Sequence, residues 1–152
     1  MEAFLKYQNG FIKITENEGH ITKIQFVNKD EFKINSSDNS KLLSESIKQI
    51  EGYLLGKRKI LNFPVKVNAS DFQKRVWNAL REIPHGEVLS YGELAKKLGG
   101  VNYSRAVGGA CNKNPLLLYY PCHRVISSKG IGGFAIDTNI KRSLLILEGV
   151  TI

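Results

Sequence analysis

The feature that most constrains this chain is a short apolar run that leads directly into a cysteine and a histidine. Residues 116–120 are Leu-Leu-Leu-Tyr-Tyr, and Pro121-Cys122-His123-Arg124 follows them. An apolar run that ends at a proline is typical of a buried strand whose last residues enter a turn. We therefore predict that Cys122 is held rigidly in the interior, beside an imidazole and a guanidinium.

This cysteine has two interpretations. Positive neighbours lower the pKa of a thiol, and the thiolate is the nucleophile, which favours a catalytic Cys122. A free cysteine is also a common small core residue, and then His123 is structural. On a strand His123 points away from Cys122, so it can act as a base only if the chain turns at Pro121 or a water bridges the two side chains.

Composition excludes several classes of protein. The 152 residues are 42% apolar, which suits one domain or two small ones, and we place the domains at residues 1–66 and 67–152. Two cysteines, Cys111 and Cys122, make no disulfide framework, and the histidines lack zinc-site spacing. No apolar run approaches the roughly 20 residues of a membrane span. We expect a cytoplasmic protein with no secretory leader, membrane segment or metal site.

Charge leaves a nucleic-acid partner open without requiring one. The chain has 22 basic and 14 acidic residues, a net charge of +8, and the excess is spread along its length. A basic protein is a candidate for a polyanionic partner. A surface kept soluble by charge explains the same balance equally well.

The first domain is expected to contain strands followed by one helix. Asn9-Gly10 between apolar residues predicts a hairpin, and residues 16–19 predict a second turn. Strand character is expected to continue to Phe32 and Ile34. Apolar residues at helical spacing within residues 43–54 then predict a helix.

The second domain is expected to be mostly helical. Residues 70–73 and 90–93 read Ser-Asp-Phe-Gln and Ser-Tyr-Gly-Glu, which are capping boxes. Ser104 is expected to cap a further helix after the break at residues 99–100. Two short helices around such a turn are typical of a helix-turn-helix or of an ordinary helical hairpin. A last helix is predicted over residues 138–148.

Several short motifs follow one another in this second domain. They are Ser90-Tyr91-Gly92-Glu93-Leu94-Ala95, Arg105-Ala106-Val107-Gly108-Gly109-Ala110, Asn114-Pro115, Pro121-Cys122-His123-Arg124-Val125-Ile126 and residues 144–149. In this order and at these intervals they resemble the O6-alkylguanine-DNA alkyltransferases, over about residues 72–149. The resemblance implies an α+β protein. Its small N-terminal α/β domain is ribonuclease-H-like, and its C-terminal helical domain is helix-turn-helix and winged-helix-like.

The resemblance also implies direct repair of DNA. Cys122 is the expected acceptor of an alkyl group from O6 of guanine, in a single irreversible turnover without a cofactor. His123 is expected to act as a base through a water, with Glu148 orienting it. Asn114 is expected to tether the helix-turn-helix to the active-site strand.

The partner implied by the resemblance is double-stranded DNA containing O6-alkylguanine, bound through the minor groove by a monomer. Arg105 is expected to fill the stack where the damaged base was, and Tyr91 to press the target phosphate as the nucleotide rotates out. The small residues Ala106, Gly108 and Gly109 allow close approach to the DNA. The pocket for the flipped base is expected to contain Tyr91, Arg124, Val125, Gly133, Phe134 and Ala135.

Three other functions stay open at this point. One is a lesion sensor of the alkyltransferase-like kind, although those relatives lack a cysteine at the acceptor position. The others are a helix-turn-helix regulator with a buried thiol and a thiol hydrolase that uses Cys122 and His123.

Phe134-Ala135 departs from the family pattern, which commonly has Tyr-Ser here, and this generates a prediction. Phe134 keeps an aromatic face but has no hydroxyl to donate to guanine N3. Loss of one such donor typically slows a reaction by a factor of about 10²–10³. We expect Phe134→Tyr to raise the single-turnover rate of alkyl transfer, and an unchanged rate would mean that the missing hydroxyl is irrelevant.

Overall fold

The computed structural model describes residues 1–35, 39–132 and 137–151. The chain divides into two compact units, Met1–Asn68 with Pro115–Tyr119, and Ala69–Asn114 with Tyr120–Ile152. The first unit contains a sheet and one long helix, and the second is mainly helical. The predicted α+β class is confirmed. Residues 115–119 return to the first unit, so no single cut of the chain separates the two.

The first unit is built on a three-stranded antiparallel sheet. Its strands are β1 (Glu2–Tyr7), β2 (Gly10–Asn17) and β3 (His20–Val27), in the order β1-β2-β3. Tyr7 pairs with Gly10, which confirms the predicted tight hairpin. In the second turn Glu18 and Gly19 have φ of 48° and 80°, and two successive positive φ angles are what a type I′ turn requires.

One helix packs against this sheet. Helix α1 (Lys41–Leu54) begins after Ser40, whose hydroxyl accepts the Leu43 N–H at 3.0 Å. It contacts all three strands. In β1 and β2 the alternate residues Ala3, Leu5, Ile12 and Ile14 are buried, which is the period-2 pattern of a sheet with one buried face. In β3 the buried residues Ile21 and Ile24 are three apart, and the pairing of β2 with β3 shifts register between Thr15 and Glu16.

The predicted continuation of the strand to Phe32 and Ile34 is wrong. Strand β3 ends at Val27, and a 3₁₀ turn follows at Lys29–Glu31. The Phe32 ring instead packs on the rings of Phe4 and Phe11, with centroids 6.2 and 5.0 Å away. Ile34 is 91% exposed. The apolar side chain of Phe32 is therefore explained by ring packing, whereas that of Ile34 is not buried at all.

The described residues of the second unit contain four α-helices and a short parallel strand pair. The helices are α2 (Asp71–Arg81), α3 (Tyr91–Leu98), α4 (Ser104–Asn112) and α5 (Thr138–Leu147), and the strands are β4 (Leu89–Ser90) and β5 (Val125–Ile126). Both predicted capping boxes are present: Ser70 with Gln73, and Ser90 with Glu93. Each ties a helix start by two reciprocal hydrogen bonds.

The connection between α3 and α4 is tight, and the two helices pack on each other. A Cβ built on Gly99 would lie 2.4 Å from the Tyr103 ring, so only glycine fits there without a shift. The predicted cap at Ser104 is wrong. Ser104 is the first residue of α4, and its hydroxyl donates to the Val101 carbonyl at 2.7 Å.

The predicted strand at residues 116–120 is also wrong, although this run is largely buried as expected. Leu116 makes one isolated bridge with Ile24 of β3. The chain then turns at Leu118, which has φ of 74°, an uncommon value for a residue with a side chain. The apolar run therefore reflects burial of an irregular segment rather than a strand.

Trp77 generates a stability prediction. Its ring stacks on Tyr120 at 5.7 Å, and its Nε1–H donates to the Ala110 carbonyl of α4 at 2.9 Å, both within the interior. Trp77→Phe keeps an aromatic ring but removes this donor, so the carbonyl keeps the Lys113 N–H at 3.1 Å and loses the indole. We expect the free energy of unfolding in urea to fall by about 0.5–1.5 kcal/mol, the net value of one such hydrogen bond. An unchanged unfolding midpoint would show that this hydrogen bond does not stabilise α4.

Candidate active site around Cys122

The chain turns sharply at Pro121, which presents Cys122 and His123 from a turn rather than from a strand. Pro121 has φ of −77° and ψ of 69°, and the Cys122 N–H donates to the Tyr120 carbonyl at 2.7 Å, the geometry of an inverse γ-turn. A 3₁₀ turn, Cys122–Arg124, follows directly and leads into β5. This is the turn that the sequence required if His123 was to act near Cys122.

Glu148, the residue after α5, holds this turn in place. Its carboxylate Oε2 lies 2.7 Å from His123 Nε2. Arg124 donates from Nε to Oε1 at 2.8 Å and from Nη2 to Oε2 at 3.0 Å, a bidentate pair. All three residues are buried. The sequence suggested Glu148 as the orienting group, and the structure places it beside His123.

The same network reaches the end of α2. Arg124 Nη1 donates to the Ile83 carbonyl at 2.7 Å, and the Gly86 N–H lies 3.4 Å from Glu148 Oε1. Gly86 has φ of 90°, and a Cβ there would lie 3.2 Å from the Glu148 carbonyl oxygen. Glycine therefore allows the loop after α2 to approach the carboxylate closely.

The contact with Glu148 shows which nitrogen of the His123 ring carries the hydrogen. A carboxylate can only accept, so His123 Nε2 carries the hydrogen at the 2.7 Å contact with Glu148. Burial lowers the pKa of His123, and the Glu148 carboxylate opposes that shift. The ring is therefore held neutral with Nδ1 as its basic nitrogen, which suits it to accept a proton.

The prediction that the neighbouring His123 and Arg124 lower the pKa of the Cys122 thiol is wrong. His123 and Arg124 direct their polar hydrogens at Glu148, and burial raises the pKa of the Cys122 thiol as the largest effect. Asn114 and Lys141 lower that pKa. The positive charge that acts on the sulfur comes from Lys141, one turn into α5.

Asn114 connects the end of α4 to the turn that carries the thiol. Its Nδ2 donates to the Tyr120 carbonyl at 2.8 Å, and its side chain is hydrogen-bonded to Cys122. Its own N–H lies 3.3 Å from the Cys111 carbonyl. Asn114 thus contacts the last turn of α4 through its backbone N–H, and the two residues that flank Pro121 through its side-chain amide.

Two other titratable groups interact electrostatically with the Cys122 thiol. Tyr91, the first residue of α3, has a phenol pKa that is raised by burial and then by Cys111 and Cys122. Burial raises the pKa of Cys111 to about 12, Cys122 adds to that effect, and Lys141 opposes it. Cys111 is buried on α4 as part of the core.

Lys141 is the residue that sequence reasoning missed. Its side chain is 0% exposed, and Nζ donates to the Val125 carbonyl of β5 at 2.7 Å. A signal was present, because Lys141 shares one helical face with the apolar residues Leu144 and Leu145 and with Glu148. A charged residue at the start of such an apolar stripe indicates that its side chain is buried and that the charge has a role.

The exposed face of α4 is lined with small residues. Arg105, Ala106 and Gly109 are exposed, and Gly108 is half-buried. A Cβ built on either glycine would meet nothing within 4 Å. Glycine within a helix costs about 1 kcal/mol relative to alanine, and packing inside this chain does not require it here.

The remaining pocket residues divide into two groups. Arg124 and Val125 are buried, and Arg124 is committed to Glu148 rather than open to a ligand. Gly133, Phe134 and Ala135 lie outside the described residues. Within the described ranges, no cluster of three or more His, Cys, Asp or Glu side chains could hold a metal ion. In those same ranges, no helix has the length and apolar character to cross a membrane.

Comparison with known proteins identifies the family. Residues 71–150 match the DNA binding domain of 6-O-methylguanine DNA methyltransferase, and residues 1–67 match its ribonuclease-like domain. The chain belongs to the 6-O-methylguanine DNA methyltransferase family. This confirms the resemblance and the ribonuclease-like N-terminal domain that the motifs implied.

Individual relatives of this family match most of the chain. A methylated-DNA–protein-cysteine methyltransferase of Methanosarcina acetivorans is 45% identical over 74% of this chain and 72% of its own. One of Sulfolobus acidocaldarius is 38% identical over 94% and 89%. The crystal structure of Mycobacterium tuberculosis OGT in complex with DNA has a TM-score of 0.84 and 30% identity, over 97% of this chain and 91% of that one.

Glu148→Gln tests the buried network. The amide keeps the shape of the side chain but removes the charge that neutralises Arg124, and breaking a buried pair typically costs about 3–5 kcal/mol. We expect a loss of that order in the free energy of unfolding. Glu87→Gln, an exposed control in the loop after α2, is expected to change it by about 0.5 kcal/mol or less. Equal effects of the two substitutions would contradict the network.

Proposed function

We propose that this protein, a member of a family that repairs DNA by direct reversal, transfers an alkyl group from O6 of guanine to Sγ of Cys122. The single observation that carries this assignment is the arrangement at the thiol. Cys122 sits on a fixed turn beside a histidine whose Nε2 is held by a buried carboxylate 2.7 Å away. A nucleophile, a base and an orienting group in this order are what activation of a weak nucleophile needs.

The chemistry balances without a cofactor. The Cys122 proton passes to His123 Nδ1 through a water, and Glu148 stabilises the imidazolium that forms. The thiolate attacks the alkyl carbon, so a C–S bond forms as the C–O6 bond breaks. The electron pair stays on the guanine, which takes up one proton at a ring nitrogen. The thioether product does not hydrolyse, so each molecule reacts once.

Burial sets the resting state of the thiol. Because burial raises the pKa of Cys122, most of the thiol is protonated at neutral pH before DNA binds. A protonated thiol reacts slowly with oxidants and stray electrophiles. This suits an acceptor that cannot be regenerated. Two free cysteines in such a protein also support a reducing, cytoplasmic location as part of the proposal.

The exposed face of α4 supports a minor-groove DNA contact. Its two glycines have open space where side chains would otherwise stand, which allows a close approach to the backbone and base edges. Arg105 is exposed at the start of this face and is proposed to enter the stack vacated by the flipped guanine. Tyr91 is proposed to contact the target nucleotide from α3. The protein acts as a monomer in this proposal.

Intact mass after incubation with duplex DNA that carries O6-methylguanine tests the assignment. We expect one stoichiometric gain of a methylene mass, mapped to the peptide that contains Cys122. The gain should be absent in Cys122→Ala and unchanged in Cys111→Ala, because Cys111 serves only packing. Cys111→Ala is therefore the matched control for Cys122→Ala.

Other outcomes would contradict the proposal in different ways. Binding to lesion DNA without any adduct would indicate a sensor or a regulator. Repeated turnover of an ester substrate would indicate a thiol hydrolase. An adduct that persists in Cys122→Ala and maps to Cys111 would show that Cys111, not Cys122, accepts the alkyl group.

A further inference from the structure

A groove in the first unit is formed where strand β3 contains a bulge. In the pairing of β2 with β3, the partners of Thr15 and Glu16 are Lys23 and Ile21, so Thr22 is an extra residue between them. A bulge of this kind bends a strand and redirects the side chains around it. Here Ile21 is fully buried, whereas Lys23 is exposed.

Two separate segments of the chain cover the edge of β3 on either side of the bulge. Residues 64–66 pair with Ile21 through two backbone hydrogen bonds of 2.8 and 3.1 Å. Residues 115–117 pair with Ile24 through two of 2.9 and 3.2 Å. The bulge lies between these two contacts, and a groove of about 530 Å³ is present there.

The groove is lined mainly by side chains that carry positive charge or can donate hydrogen bonds. Lys23 and Lys66 both line it, and both are exposed. The other lining residues are Asn17, Glu18, Thr22, Val67, Asn68 and Pro115. Ammonium, amide and hydroxyl groups are the side-chain groups that contact phosphate oxygens in protein–DNA complexes.

The charge of the two lysines is not neutralised by a direct ion pair. Within residues 1–35, 39–132 and 137–151, neither Lys23 nor Lys66 forms a salt bridge, and Glu18 in the same groove forms none either. Two lysines against one glutamate leave the groove with a net positive charge. A cleft lined mainly by one sign of charge attracts ligands of the opposite sign.

The lining favours a nucleic-acid backbone over a free nucleotide. Among the described residues that line the groove none is aromatic, so a base has no ring on which to stack. A nucleic-acid backbone presents closely spaced phosphates and needs no such ring. DNA, the polyanion on which this family acts, supplies that backbone.

We propose that this groove binds phosphate groups of the DNA backbone, as a contact of the first unit in addition to the exposed face of α4. The inference rests on the DNA binding proposed above. Lys23 and Lys66 bind phosphate oxygens as point charges, and the amides of Asn17 and Asn68 donate hydrogen bonds to them. These contacts add affinity for any base sequence and make binding more sensitive to salt.

The salt dependence of binding to an undamaged duplex tests this. Fluorescence anisotropy gives the dissociation constant for the native protein and for the double variant Lys23→Gln, Lys66→Gln. Each phosphate contact contributes about 0.9 to the slope of log affinity against log salt concentration. We expect the slope of the double variant to be smaller by about 1.8. Between about 50 and 200 mM salt, the native affinity should therefore fall about tenfold more than that of the variant.

The double variant Lys6→Gln, Lys48→Gln is the matched control. It removes the same charge from two exposed lysines of the first unit that do not line the groove. We expect it to keep the native slope. An equal loss of slope in both double variants would overturn the proposal, because net charge would then be the cause. An unchanged slope in the groove variant would overturn it equally.

Glu18→Gln tests the sign of the charge effect. It removes the carboxylate that opposes an anion in the groove. We expect tighter binding of the same duplex, opposite in direction to the effect of the lysine variants. Weaker binding would contradict the proposal.

Backbone amide chemical shifts identify the source of the phosphate. The probes are the undamaged duplex, inorganic phosphate and deoxyguanosine monophosphate, compared at equal phosphate concentration. We expect the amides of residues 22–23 and 66–68 to shift with the duplex and not with either small probe. Shifts with a small probe and not with the duplex would overturn the assignment to DNA and indicate a site for a free phosphate group.

The methyl adduct distinguishes this inference from the proposed function. At saturating lesion DNA, the groove variant is expected to form the full adduct on Cys122, because no residue that lines the groove belongs to the site around that thiol. A native protein that forms no adduct but keeps the salt dependence would remove the acceptor role and leave the groove. A normal adduct without any effect of the groove variant would remove the groove alone.

Discussion

The buried carboxylate of Glu148 is the contact on which the rest of the site depends. It joins the residue after α5 to the turn at residues 122–124 and to the loop after α2, three segments that are far apart in sequence. Bringing an ionised carboxylate into the interior is expensive unless donors surround it. Because His123 and Arg124 supply those donors, the carboxylate fixes both side chains. The thiol of Cys122 is positioned as a consequence, because Cys122 directly precedes His123 in the same turn.

Burial sets two opposing requirements at this thiol. It keeps the sulfur protonated and therefore protected, yet alkyl transfer needs the thiolate. Two groups favour the thiolate against burial, namely the side-chain amide of Asn114, which is hydrogen-bonded to the sulfur, and the charge of Lys141. In a buried site such interactions are worth more than in bulk water.

Local signals predicted much of this fold, and long-range contacts account for what they missed. Both capping boxes and the hairpin at Tyr7–Gly10 depend on residues a few positions apart, so the sequence contains them in full. The apolar run at residues 116–120 suggested a strand because burial and strand formation produce the same short pattern. The family motifs predicted Cys122, His123 and Glu148 as one set, and the structure places His123 and Glu148 in contact. The pairing of Glu148 with Arg124, and the hydrogen bond from Lys141 to the Val125 carbonyl, join segments that are far apart in sequence, and local patterns do not predict such contacts.

The most direct test of the account is a crystal structure of Cys122→Ser bound to duplex DNA that contains O6-methylguanine. The account predicts that the damaged guanine is rotated out of the helix, with its methyl carbon in line with the residue 122 oxygen. His123 should then lie within hydrogen-bond distance of that oxygen, directly or through one water, with its Nε2 still on Glu148. A lesion that stays stacked in the duplex, or a flipped base whose methyl group faces away from residue 122, would contradict it.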